Sequence, residues 1–280
     1  FAVFADVKYA SLFADHMVLQ RDTKVAIWGT ADSGEKISVT FNNQKVNSTA
    51  DANGNWKVSL AKLSAGGPYV LTASGKNNIS IQDVYVGEVW LCSGQSNMEW
   101  QVQQSLNAQY EITKANFPNI RFLFAEHEKK LKPQSDFISE GWKLSDTVNV
   151  KKFSAVAFFF ARKIQQDQNV PIGIIQSTWG GTPVTCWTSR EMLLSSPLTR
   201  SKILANDSLT IAHFVKDSLD LIRFWDIVYH PKNNADKTVP LCEYNDSKWD
   251  EVEMPRLVKD FGIGSYEGMM WLRKKIVLPE

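Results

Sequence analysis

The chain has 280 residues, 44% of them hydrophobic, and 31 basic against 30 acidic side chains for a formal charge of +1. This length and apolar content suit one large or two ordinary packed domains and exclude a disordered chain. The even charge balance, with no long run of either sign, argues against nucleic acid or an anionic lipid surface as partner.

No apolar run approaches the roughly 20 residues that span a bilayer, so no membrane partner is expected. Phe1-Ala2-Val3-Phe4-Ala5 lacks the charged front and the length of a signal peptide, so any export signal is expected to have been removed already. Cys92, Cys186 and Cys242 are odd in number and widely spaced, matching neither a disulfide framework nor a zinc pattern; packing is their expected role, and no metal site is expected.

From Ala10 to about Val86 the chain reads as short strands: Lys24 to Trp28, Lys36 to Phe41, Asn55 to Leu60 and Tyr69 to Ala73. Asn53-Gly54, Gly66-Gly67-Pro68 and Gly75-Lys76-Asn77-Asn78 sit between them as turn signals. Residues 1–86 are therefore expected to form an antiparallel β-sandwich.

Near Gly87 the pattern changes. Glu88-Val89-Trp90-Leu91-Cys92 is nearly continuous in apolar residues, the signature of a parallel strand buried on both faces. A helix is expected after Met98 and a strand at Asn119 to Phe124. Phe153, Val156, Ala157, Phe160, Ala161 and Ile164 mark one helical face, and Pro171 to Gln176 read as another strand. This βαβαβ order calls for a parallel sheet with its chemistry on loops at the carboxyl ends of the strands, within residues 87–225. A looser helical stretch runs through Leu193, Ile203, Ile211 and Leu221. Residues 226–280 return to β character, with Trp249, Val252, Met269 to Leu272 and Lys275 to Leu278 as strands of a second sandwich that lacks enough partners to close.

Two loops fall where the sheet would place chemistry. In Ser93-Gly94-Gln95-Ser96-Asn97-Met98 a buried strand passes into a helix, so Ser96 stands near unpaired N–H groups and the positive end of the helix dipole. Such donors stabilise the negative charge that develops when a serine attacks an ester carbonyl. A serine in this position can also be a plain helix cap. Ser177-Thr178-Trp179-Gly180-Gly181-Thr182-Pro183 follows another strand, and its paired glycines suit either a simple turn or an oxyanion hole. Two such loops at neighbouring strand ends favour the catalytic reading. A serine nucleophile needs a base, and the histidines are His16, His127, His213 and His230. The nearest approach to an acid–histidine pair, Asp226-Ile227-Val228-Tyr229-His230, is one residue longer than an Asp-x-x-His.

The string Val89-Trp90-Leu91-Cys92-Ser93-Gly94-Gln95-Ser96-Asn97-Met98-Glu99-Trp100 closely resembles the nucleophile block of the sialate O-acetylesterase family, a branch of the SGNH hydrolases. Leu12 to Arg21, Gly180-Gly181-Thr182-Pro183 with Trp187, and Trp271-Leu272-Arg273-Lys274 agree with it, so the resemblance covers nearly the whole chain.

The resemblance implies a three-layer α/β fold of the SGNH type, present in part. It would be preceded by the antiparallel sandwich and followed by the start of an inserted one. It further implies a secreted or periplasmic enzyme, without cofactor, that hydrolyses acetyl esters of sugars, typically at the 9-hydroxyl of sialic acids. Ser96 would be the acyl acceptor, and the N–H groups of Ser96 and of Gly180 or Gly181 would bind the oxyanion. Gln95 and Asn97 would shape the elbow, and Gln95, Asn97, Met98, Trp100, Thr182 and Trp187 are the expected substrate-binding residues; Trp100, Trp179 and Trp187, which flank the two loops, are the tryptophans expected at the sugar site. Family members carry a Gln-Gly-Glu block and an Asp-x-x-His further along, so the chain is expected to be the amino-terminal part of a longer polypeptide. Deacetylation of a polysaccharide such as xylan, and sugar binding without catalysis, are the competing expectations.

Overall fold

In the computed structural model, alternation of apolar and polar residues sets the first strands, as period-two side-chain geometry requires. The structure describes residues 6–128, 130, 133–206, 213, 215–222, 243–253 and 272–273. Strands β1 (Lys8–Tyr9), β2 (Val18–Gln20), β3 (Val25–Thr30), β4 (Lys36–Phe41), β5 (Gln44–Thr49), β6 (Asn55–Leu60) and β7 (Gly66–Ser74) lead into β8 (Asn78–Gly94). Val25 and Ile27 of β3, Ile37, Val39 and Phe41 of β4, and Trp56, Val58 and Leu60 of β6 point into a shared core. β5 buries no side chain and forms the outer edge of its sheet. Apart from Val46 its sequence is polar and carries no strand signal; the two-residue turn at Asn42 and Asn43, both with positive φ, creates it. Gly66 to Pro68, expected as a turn, instead open β7, whose pairing with β8 shifts register twice there.

Strand β8 joins the two halves of the first unit. Its residues 78–86 pair antiparallel with β7, Tyr85 to Gly87 pair parallel with β2, and Glu88 to Gly94 pair parallel with β11 (Ile172–Thr178). One 17-residue strand thus carries the chain from the antiparallel sheet into the parallel one. β11 lies between β8 and β9 (Asn116–Phe124), parallel to both. The antiparallel β10 (Trp142–Asp146), which has no counterpart in the sequence expectation, closes the β9 edge. The sheet is therefore mixed rather than purely parallel. The helices include α1 (Ser96–Glu99), α2 (Ala108–Lys114), α3 (Ala155–Gln168), α4 (Arg190–Ser195) and α5 (Pro197–Asn206), with 3-10 turns at Val102–Gln104, Val150–Lys152 and Val184–Trp187.

Alternation also divides the faces of the parallel strands. Ile120, Phe122, Ile172 and Ile174 pack on α3 through Ala155, Ala157, Phe158 and Ala161. Burying a side chain the size of Phe122 or Phe158 stabilises the fold by roughly 1.5–3 kcal/mol. Leu123 and Ile175, one residue out of phase, join the core of the amino-terminal sheets instead. Two expectations need correction here. Val156 and Phe160 are exposed while Ala155 and Phe158 are buried, because an unbroken apolar run at 155–161 leaves periodicity nothing to select. Trp90 and Leu91 are 42% and 69% exposed rather than buried on both faces. Among the described residues no strand pairs with the second edge of residues 89–94.

The chain divides into two compact units, residues 1–200 and 201–280. In the second, Arg273 Nη1 donates to the Tyr244 carbonyl (2.8 Å), and Tyr244 packs against Trp249. Trp249 and Val252, expected in strands, lie in a bend and in irregular chain, while the strands expected at 269–272 and 275–278 fall almost entirely outside the described residues, and Asp226, His230 and Cys242 wholly so.

Candidate active site

The carboxyl ends of β8 and β11 lie side by side, with Thr178 opposite Gly94. One further hydrogen bond, from Trp179 N–H to the Gly94 carbonyl (2.9 Å), carries the pairing beyond the ladder and into the loops. Gly94 has φ +146°, and a Cβ there would lie 2.8 Å from Met98 Cγ, so this turn requires glycine on both counts. Gln95 caps the single turn of α1, its carbonyl accepting from the N–H groups of Met98 (2.8 Å) and Glu99 (3.0 Å). Ser96 opens that turn and is exposed at the strand end. With only four residues in α1 the macrodipole is slight, so individual N–H groups are the relevant donors.

The second loop meets the first at Gly180, where an added Cβ would stand 3.6 Å from both Cα and Cβ of Ser96. The Gly180 N–H donates to Glu99 Oε2 at 2.5 Å. Gly181 follows with φ +74°. Among the described residues the N–H groups of Ser96 and Gly181 donate to no protein acceptor. Thr182 Oγ1 donates to the Trp179 carbonyl (2.6 Å) and accepts from Trp187 Nε1 (2.9 Å), which closes the loop on itself. Trp100 Nε1 donates to the Gln104 carbonyl (3.0 Å), and its exposed ring flanks the nucleophile turn. Gln95 and Asn97 are exposed, and Met98 is half-buried.

Sequence reasoning missed two residues of this cluster. Glu99 lies one helical turn after Ser96, a spacing that puts both on one side of α1. His127 lies three residues past the end of β9, at the same edge of the sheet. Its ring stacks on Trp179 at 4.3 Å, with Nε2 2.5 Å from the Thr178 carbonyl and 3.4 Å from Glu99 Oε1. Both neighbours are acceptors, so Nε2 carries the proton. The position of His127 just beyond a strand end was the one readable signal. His16 is engaged elsewhere, with Nδ1 2.7 Å from Asp83 Oδ2, and His213 is exposed in the second unit. Burial raises the Cys92 thiol pKa, which keeps that side chain protonated on the strand below the turn.

No described helix is long and apolar enough to cross a membrane. The family model described as carbohydrate esterase, sialic acid-specific acetylesterase matches residues 86–214, a span that holds both loops. Sialate O-acetylesterases of Pongo abelii and Homo sapiens are each 31% identical to the chain over 247 residues, covering 81% of it and 46% of their own length. A solved carbohydrate acetylesterase from Xanthomonas citri is similar over 68% of this chain and 44% of its own, with TM-score 0.66 and 36% identity. The chain thus spans about half the length of these relatives. Motif, sheet and paired loops agree with these matches, which identify residues 86–214 as similar to the sialic acid-specific acetylesterase family of carbohydrate esterases.

Proposed function

We propose that the chain carries the nucleophile side of a serine esterase that removes O-acetyl groups from carbohydrates, with 9-O-acetylated sialic acid as the first substrate to test. The observation that carries this reading is the approach of Gly180, from a neighbouring strand end, so close to Ser96 that a Cβ added to the glycine would touch the serine. In the proposed mechanism the Ser96 hydroxyl attacks the acetyl carbonyl and its proton passes to a histidine base. The tetrahedral oxyanion is held by the free N–H groups of the two loops, the sugar alcohol leaves, and water releases acetate from the acyl-enzyme.

The sequence contains no Asp-x-x-His, and the relatives extend over about twice the length matched. In this reading the base belongs to that remainder of the polypeptide. Further strands of a three-layer SGNH-type sheet would pair with the open edge of β8 next to the exposed Trp90, which contacts Phe160 edge-on at 5.1 Å. Gln95, Asn97, Met98, Trp100, Thr182 and Trp187 are the candidates for contact with the sugar, and export to the periplasm or outside the cell fits a substrate of that class.

A polysaccharide substrate is the second reading, left open by the Xanthomonas citri relative, which is named only as a carbohydrate acetylesterase. The test is acetate release from 9-O-acetylated sialic acid and from acetylated xylan by the full-length protein and its Ser96→Ala variant. Release that falls by at least about 1,000-fold in the variant supports the serine mechanism. Release from xylan alone moves the substrate to plant polysaccharide. Sugar binding without release from either would make the protein a carbohydrate-binding module.

A further inference from the structure

We infer that Glu99 is a positioning residue, which clamps the Trp179–Gly181 loop at the height where its remaining free N–H can serve the oxyanion of the Ser96 reaction; the inference rests on the esterase reading above. Four observations converge on this carboxylate. Glu99 Oε2 accepts the Gly180 N–H at 2.5 Å, across 81 residues of sequence. Glu99 Oε1 faces His127 Nε2 at 3.4 Å, while the same nitrogen lies 2.5 Å from the Thr178 carbonyl at the base of the loop. The His127 ring lies flat on Trp179, with an interplanar angle of 6°. Glu99 itself belongs to the one turn of helix that presents Ser96, so the loop is referenced to the nucleophile through three residues of chain.

The arrangement divides the labour of the two glycines. A carboxylate hydrogen bond to a backbone N–H is charge-assisted and stronger than a neutral one, so the Gly180 N–H is committed to holding the loop. The N–H of Gly181 donates to no acceptor among the described residues, as does that of Ser96. These two are the donors left for an oxyanion, and their separation is set by where Glu99 holds Gly180. Without the clamp, the loop keeps its own closure through Thr182 and Trp187 but loses its tie to the serine turn at Gly180. Misplacing a stabilising donor by about 1 Å costs on the order of 100-fold in rate.

The test uses the full-length protein with 4-nitrophenyl acetate, which reports the chemical step without a sugar, and with the acetylated sugar. Glu99→Ala is expected to lower kcat on both substrates by about 100-fold, with KM changed less than about threefold and an unchanged melting temperature. Glu99→Gln, whose amide oxygen can still accept the Gly180 N–H, is expected to recover most of that loss. Gly180→Ala would place its Cβ 2.8 Å from Glu99 Oε2. It should therefore impair kcat alone yet add little in the Glu99→Ala background, since both changes break one interaction.

A wild-type kcat in Glu99→Ala overturns the inference. So does a loss confined to KM, or one that vanishes when rates are expressed per folded molecule. Ser96→Ala run alongside separates the two levels. An inactive serine variant beside a fully active Glu99→Ala removes the clamp alone, whereas an active serine variant removes the nucleophile and the clamp together.

Discussion

Gly94 illustrates how far a single position can be read. Its place before Gln95 and Ser96 marks it as a turn glycine from sequence, because the chain must leave a strand sharply there. The fold adds a second reason, the side chain of Met98 against which a Cβ would collide. Gly94→Ala is expected to lower acetate release by at least about 10-fold while reducing stability by about 1–3 kcal/mol, measured by urea unfolding alongside activity. Undiminished activity in a stable Gly94→Ala variant would show that the turn tolerates a side chain. Glu99 and His127 behave differently. Nothing local distinguishes them from surface residues, since their partners are 81 and 51 positions away along the chain.

At the scale of elements, the nucleophile turn is held from behind by the start of α3. The Ala155 N–H donates to the Trp100 carbonyl (2.7 Å), the Val102 N–H to the Phe153 carbonyl (3.0 Å), and Gln101 pairs with Ser154 between them. Ser154 caps α3 through its side chain, which accepts the Ala157 N–H at 3.2 Å. Its own buried N–H donates to Gln176 Oε1 (2.9 Å), while Gln176 Nε2 donates to Thr178 Oγ1 (3.1 Å). One buried glutamine in β11 thus ties the helix start, and through it the turn after Ser96, to the strand that carries the second loop. Gln176→Leu leaves the Ser154 N–H without an acceptor and is expected to cost about 1–3 kcal/mol in chemical denaturation. A variant as stable as the parent would mean that this N–H finds another partner. The helix face itself was only half legible, because residues 155–161 are apolar throughout and any side of the helix could have been buried.

Across the first unit, charged groups tie the amino-terminal sheets to the parallel strands. Arg121, 2% exposed on β9, donates through Nη1 to the carbonyls of Asp83 (2.5 Å) and His16 (3.0 Å), and its guanidinium lies 4.1 Å from the Tyr85 ring centre. Nearer the surface, Arg21 Nε donates to Glu88 Oε1 (2.6 Å) and Gln20 Nε2 to Glu88 Oε2 (3.1 Å), where β8 enters the parallel sheet. The Arg21 hydrogen bond holds the Glu88 carboxyl below its ordinary value of 4.5, outweighing partial burial. A carboxylate depressed in the folded state stabilises fully above its unfolded pKa, and that contribution is lost as pH falls through the folded value. Glu88→Gln is therefore expected to cost on the order of 1 kcal/mol at pH 7, a difference that shrinks as pH drops below about 4.5. A gap independent of pH, followed by thermal melts from pH 7 to 3, would assign the effect to packing instead.

Sequence alone determined the alternating strands β3, β4 and β6, the passage into a parallel strand at Gly87, and Ser96 and the glycine pair at two strand ends. These follow from local rules: period-two burial, turn chemistry and the place where a parallel strand delivers its loop. Only the tertiary structure decided the polar edge strand β5, the antiparallel β10, the rotation of α3 and the exposed edge of β8 beside the nucleophile. Each depends on which surface meets which across a long stretch of chain. The contact between Glu99, Gly180 and His127 is of the same kind, since it exists only because β8, β9 and β11 end at one edge of the same sheet.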